Sequence, residues 1–136
     1  MNDTLKQLGK NKLIVEKLVQ DCKKNLGYDK DPTIVFLENE ENAAQLFGKT
    51  GYYDPSSQKI AIYTTGRHPK DCLRSLAHEL VHHAQNCRGD LLEASANAGD
   101  GYAQNDEVLR ELEREAYEKG NLMFRDFEDG LKYGSK

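Results

Sequence analysis

The segment from Arg74 to Gln85 holds the residue types best suited to chemistry. It contains the pattern His-Glu-x-x-His, in which Glu79 follows His78 and His82 lies four residues after His78. If the segment is helical, both histidines project from one face, and two imidazole nitrogens at this spacing can reach one Zn²⁺ ion. Glu79 can then hold a water molecule on the open side of the metal and act as general base. The apolar residues between these positions fit a helix with one face in a core.

A catalytic zinc needs a third protein ligand. The longer pattern HExxHxxGxxH would place a histidine at position 88, but that residue is Arg88. A later helical segment supplies Glu113, which shares a face with apolar residues, and Glu115, which lies on a different face, toward Lys119, Glu118 and solvent. A lone carboxylate on an apolar stripe is costly to bury unless a positive group meets it. This phase argument predicts Glu113 as the third ligand.

Three alternatives stay open for this position. Glu115 or Glu93 can supply the ligand instead, or Glu113 can form a salt bridge with Arg110 or Arg74 and bind no metal.

The sequence resembles the gluzincins, in which a Glu from a later helix completes HExxH, often within Glu-x-x-Ala-(Asp/Asn). The matching residues are His78 to His82 and the run from Glu113 to Tyr117, where Tyr117 replaces the acidic or amide residue. The whole layout is similar to small zincin-like metallopeptidases of bacteriophages, sometimes called minigluzincins, over residues 58–127. This resemblance implies an α+β, minimal zincin-like fold: an N-terminal helix, a small three-stranded sheet, the HExxH helix and a C-terminal helix that carries the third ligand.

The expected activity is the hydrolysis of peptide bonds in a peptide or protein substrate, through a zinc-activated water with Glu79 as general base. An additional donor should stabilise the oxyanion, and the candidates are Tyr102, Tyr117, His68 and Arg110. The strand before the HExxH helix, Lys59 to Thr64, is expected to be the sheet edge to which an extended substrate adds.

Hydrophobic periodicity and turn residues predict the remaining elements. We expect a helix from Thr4 to Leu26, a buried strand at Thr33–Leu37 and a short helix at Glu40–Phe47. A hairpin should turn at Asp54-Pro55-Ser56-Ser57.

The second half of the chain should contain a loop, with one helical turn at Leu91–Ala96, between Asn86 and Gln104. A helix should then run from Asn105 or Asp106 to about Glu128, with Leu109 on its inner side. Gly120 marks either a close helix crossing or a break in that helix.

Two further residues, His83 and Gln85, lie close to the candidate ligand His82 in the sequence. His83 points about 100° away from His82 and is expected to be a surface histidine or a neighbour of the ligands. Gln85 is expected to contact His82 from one turn further along.

Length and composition limit the possibilities. The 136 residues, read as one domain covering 1–136, can bury a core without disulfides, and three cysteines give an odd number with no C-x-x-C pair. With 19 basic and 23 acidic residues the net charge is −4, so neither a nucleic-acid-binding nor a membrane-binding surface is expected. No long apolar segment or signal peptide is evident, which predicts a cytoplasmic protein. The oligomeric state is not predicted.

Two other functions compete with the peptidase. One is a catalytically idle zinc-binding module for structure or protein interaction, and the other is a helical domain in which HExxH occurs by chance. The presence of Glu79, which a purely structural zinc site does not require, favours the enzyme.

Overall fold

Three long helices and three strands form the described part of the chain. A computed structural model describes residues 12–39, 41, 50–89 and 102–133. In chain order the elements are α1 (Lys12–Leu26), β1 (Thr33–Leu37), β2 (Gly51–Asp54), β3 (Lys59–Tyr63), α2 (Pro69–Cys87) and α3 (Tyr102–Tyr133). The α+β class predicted from the sequence is confirmed.

The sheet is mixed, with the strand order β1-β3-β2. β2 and β3 form the predicted antiparallel hairpin, whose turn is held by the Asp54 carboxylate, with oxygens 2.7 Å from Ser56 Oγ and 2.9 Å from Ser57 Oγ. β1 pairs with β3 in parallel, with Ile34 opposite Ile60. The prediction that β3 is an edge strand is therefore wrong. Both of its sides are hydrogen-bonded, and its central residues are fully buried.

Helix α2 begins and ends with clear local signals. The His68 side chain caps its start by accepting a hydrogen bond from Lys70 N, at 3.1 Å, and Pro69 occupies the first turn. The helix ends at Cys87, and Gly89 then adopts a φ of 89°, a conformation that favours glycine. The apolar face of α2, which includes Leu76, Leu80 and Val81, packs in the core between the sheet and the other helices.

Helix α3 is longer than predicted at both ends. It continues through Gly120 without a break, and this glycine marks a close crossing with α2. A Cβ atom at position 120 would lie 3.0 Å from His78 Cα and 3.1 Å from His78 N. Ala116, Phe124 and Phe127 are buried on its inner face. Leu109 was predicted on that face but is 48% exposed, because it lies before the crossing.

Helix α1 packs against both α2 and α3, and its Leu18 and Cys22 are fully buried. The first part of the predicted N-terminal helix, residues 4–11, lies outside the described residues. The same is true of the helix predicted at Glu40–Phe47, apart from residue 41, and of the helical turn predicted at Leu91–Ala96. In the part of the chain that is described, no helix is both long and apolar enough to cross a membrane.

Candidate metal centre

Helices α2 and α3 bring the predicted ligands together. His78 Nε2 lies 2.7 Å from Glu113 Oε1, and His82 Nε2 lies 3.4 Å from the same carboxylate. The two imidazole rings are 5.0 Å apart at their centroids. The close crossing at Gly120 lets α3 approach α2 near enough for Glu113 to reach both rings. These contacts gather residues 35 and 31 positions apart in the chain.

The donor set fits a divalent transition metal. One ligand atom from each of His78, His82 and Glu113 can be chosen so that all three lie within 4.8 Å of one another. Within the described residues, this is the one cluster of three or more such side chains. Two imidazole nitrogens and one carboxylate oxygen are donors that zinc accepts, and three protein ligands leave a position open. The cluster could therefore hold a metal ion.

Glu79 is the buried carboxylate of this region, with 6% of its surface exposed, and it lines the cleft beside the histidines. Burial raises the pKa of Glu79 to about 7; nearby His82 lowers it and Glu113 raises it. Burial also lowers the pKa of His78, with a further contribution from His82. In the metal-free protein, Glu79 thus takes up and releases a proton near neutral pH.

Glu115 has more partners than predicted. Its side chain is 27% exposed and lies 2.8 Å from Lys119 Nζ, on the predicted side, but it also accepts hydrogen bonds from Gln85 Nε2 and Arg88 Nη2, at 2.8 and 2.9 Å. Partial burial raises the pKa of Glu115, but the bonds from Lys119, Gln85 and Arg88 outweigh this effect and lower it to about 2. Glu115 is therefore engaged away from the cluster. The phase argument missed this contact because it considered α3 alone and not the end of α2 against which α3 packs.

His83 is neither on the surface nor beside the cluster. Its side chain is fully buried, with Nδ1 2.8 Å from Tyr53 Oη and Nε2 2.5 Å from the Lys30 carbonyl oxygen. Asn86 Nδ2 donates to Tyr53 Oη at 2.9 Å and continues this network. The expectation for Gln85 is confirmed, since its Oε1 lies 2.9 Å from His82 Nδ1.

An open cleft of about 880 Å³ lies over the cluster. One wall is β2, from Gly51 to Tyr53; the opposite wall is α3, with Tyr117 and Asn121. The floor is the α2 face that carries the two histidines and Glu79. Because β2, not β3, borders the cleft, the sheet edge beside the cluster belongs to β2.

The other candidate residues lie in different parts of the molecule. Tyr117 lines the cleft, with its ring 4.5 Å from that of His78, and is 60% exposed. His68 caps α2 and does not line the cleft, and the side chain of Tyr102 lies outside the described residues.

Arg110 is exposed on α3. Arg74 pairs with Asp71 at 3.0 Å and stacks on Phe124, so it is not the partner of Glu113.

Sequence reasoning missed Arg67, which joins the hairpin to α2. Its guanidinium donates to the carbonyl oxygens of Thr50, Tyr63 and Asp71 and to Ser75 Oγ, at distances from 2.6 to 2.9 Å. A lone arginine in a turn carries no pattern that identifies such a role.

No protein-family model matches this chain, and neither the comparison with curated proteins nor that with solved structures finds a match.

Proposed function

We propose that the protein is a zinc-dependent peptidase of the gluzincin type, with a single zincin-like domain. The observation that carries this proposal is the convergence of His78, His82 and Glu113 on the floor of an open cleft, next to the buried carboxylate of Glu79. A structural zinc site would use a fourth protein ligand and would not need such a cleft.

In this proposal His78, His82 and Glu113 hold the zinc ion. Zinc, when bound at such a site, makes a water molecule more acidic and polarises a substrate carbonyl. Glu79 accepts the proton as the water attacks and then gives it to the leaving amine. A carboxyl group beside the attacking water is suited to both transfers, and Glu79 lines the cleft next to the two histidines.

Two further groups have proposed roles in the cleft. Tyr117 lies beside His78, so its hydroxyl is our candidate for the donor to the oxyanion. β2 is an outer strand of the described sheet and borders the cleft, so an extended peptide can add to it through main-chain hydrogen bonds. In this proposal the substrate lies along β2 and not along β3.

The first test is zinc stoichiometry of the purified protein. We expect about one zinc per chain in wild type by the ligand count of the cluster, loss of zinc in His82→Ala and weakened binding in Glu113→Gln. Glu111→Gln is the matched control, because it removes the same charge from an exposed side chain two residues away from Glu113. Wild-type protein that binds no zinc after reconstitution would overturn the proposal.

The second test is cleavage of a mixed peptide library followed by mass spectrometry. Wild type should cut, while Glu79→Gln should keep its zinc and lose on the order of 10²-fold or more in rate, as expected for the loss of a general base. Zinc binding without cleavage by wild type would instead identify the idle zinc-binding module.

A further inference from the structure

Gln85 connects the two helices that carry the proposed ligands. Its side chain is fully buried between α2 and α3. The amide oxygen lies 2.9 Å from His82 Nδ1, and the amide nitrogen lies 2.8 Å from both the Leu112 carbonyl oxygen and Glu115 Oε1. One side chain thus contacts a proposed ligand on α2 and two groups on α3 that flank Glu113.

The partners of Gln85 determine which way its amide points. A carbonyl oxygen can only accept a hydrogen bond, and the Glu115 carboxylate, paired with Arg88 and Lys119, is likewise an acceptor. The amide nitrogen must therefore face α3, which leaves the amide oxygen facing His82. Because that oxygen cannot donate, His82 Nδ1 must carry the proton.

We propose that Gln85 is a positioning residue that holds His82 as the Nδ1–H tautomer and directs the lone pair of Nε2 toward Glu113. The importance of this role for metal binding rests on the proposed function. Neutral histidine has one donor and one acceptor nitrogen, so a fixed proton on Nδ1 leaves Nε2 as the metal-binding atom.

The same side chain also binds α3 to α2 on both sides of Glu113. Leu112, whose carbonyl accepts from Gln85, directly precedes Glu113, and Glu115 follows it by two residues. Arg88, at the end of α2, holds Glu115 from a second direction at 2.9 Å. Loss of the Gln85 amide is therefore expected to disturb both the tautomer of His82 and the approach of Glu113.

The test compares Gln85→Met, which keeps the length of the side chain but removes both hydrogen-bonding groups, with wild type. Gln20→Met is the matched control, since Gln20 is exposed on α1. Zinc affinity is measured by competition with a chromophoric chelator. Gln85→Met should bind zinc about 10–100-fold more weakly, in the range found when a hydrogen-bond partner of a ligand is lost. Gln20→Met should match wild type.

A second measurement does not depend on a Gln85 variant. Long-range ¹H–¹⁵N spectra of metal-free wild type distinguish the two tautomers of His82, with His82→Ala providing the assignment. We expect the proton on Nδ1. A proton on Nε2, or an unchanged zinc affinity in folded Gln85→Met, would overturn the role of Gln85. Wild type that fails to bind zinc would overturn the proposed function, whereas the tautomer would still decide the inference about Gln85.

Discussion

His82 and His83 are neighbours on one helix, yet they differ in burial and in the partners of their ring nitrogens. Both ring nitrogens of His83 have protein partners, the Tyr53 hydroxyl and the Lys30 carbonyl, and the ring is fully buried. His82 has one such partner, Gln85, while its Nε2 faces the Glu113 carboxylate at the open cleft.

The difference shows how a fold assigns two roles to one residue type. The Lys30 carbonyl can only accept, so His83 Nε2 donates to it and Nδ1 accepts from the Tyr53 hydroxyl. That ring has no lone pair left for a metal. A histidine becomes a candidate ligand when the protein satisfies one nitrogen and leaves the other facing an acidic group, as it does at His82.

The largest effect is expected for His83→Leu, which tests the different roles of the two histidines. We expect a loss of about 2–4 kcal/mol in the free energy of unfolding, because the Lys30 carbonyl and the Tyr53 hydroxyl would lose a buried partner. Urea unfolding of the metal-free protein measures this loss, and the folded variant should keep its zinc. His82→Leu is the comparison and should lose zinc with a smaller change in stability. Loss of zinc in His83→Leu at unchanged stability would reverse the assignment.

A second test concerns Glu79. Unlike the hydrogen-bonded histidines, this carboxylate is destabilised by burial when it is charged. Its pKa of about 7 in the folded protein lies above the ordinary value of 4.5, so the folded state binds the proton more tightly than the unfolded chain. The favourable contribution of protonated Glu79 is therefore complete below about pH 4.5 and is lost as the pH rises through 7.

Glu79→Gln does not titrate, so its stability relative to wild type should rise with pH. Between pH 5 and pH 8, the free energy of unfolding of the metal-free variant should rise by about 2 kcal/mol relative to wild type. Urea unfolding in excess chelator measures this, with the exposed Glu16→Gln as control for a lost charge. An equal difference at both pH values would contradict the expectation.

The smallest expected effect concerns the helix crossing that brings Glu113 to the histidines. Gly120→Ala should destabilise the protein by about 1 kcal/mol, because its Cβ would press on the His78 backbone and outweigh the better helix propensity of alanine. Gly130→Ala is the matched control, since its Cβ would meet no atom within 4 Å and should stabilise α3. Thermal unfolding of both variants checks this, and equal stabilisation by the two would show that the crossing is not close.

The parts of this arrangement that the sequence predicts are the local ones. The spacing of His78 and His82, the hairpin, and the place of Glu113 on the inner face of α3 all follow from helical or strand periodicity. The parallel pairing of β1 with β3 joins segments distant in the chain, and no short pattern encodes it. The burial of His83 and the ion pair of Glu115 with Arg88 depend likewise on which surface packs against each helix, so helical phase alone did not predict them.

Arg67 has a mechanical consequence. Its bonds to Thr50 and Tyr63 on the hairpin and to Asp71 and Ser75 on α2 couple one wall of the cleft to its floor. β2 and α2 are therefore expected to move together, so a change in the width of the cleft would come from a shift of α3. Because Glu113 lies on α3, such a shift would also change the distances between its carboxylate and the two histidines.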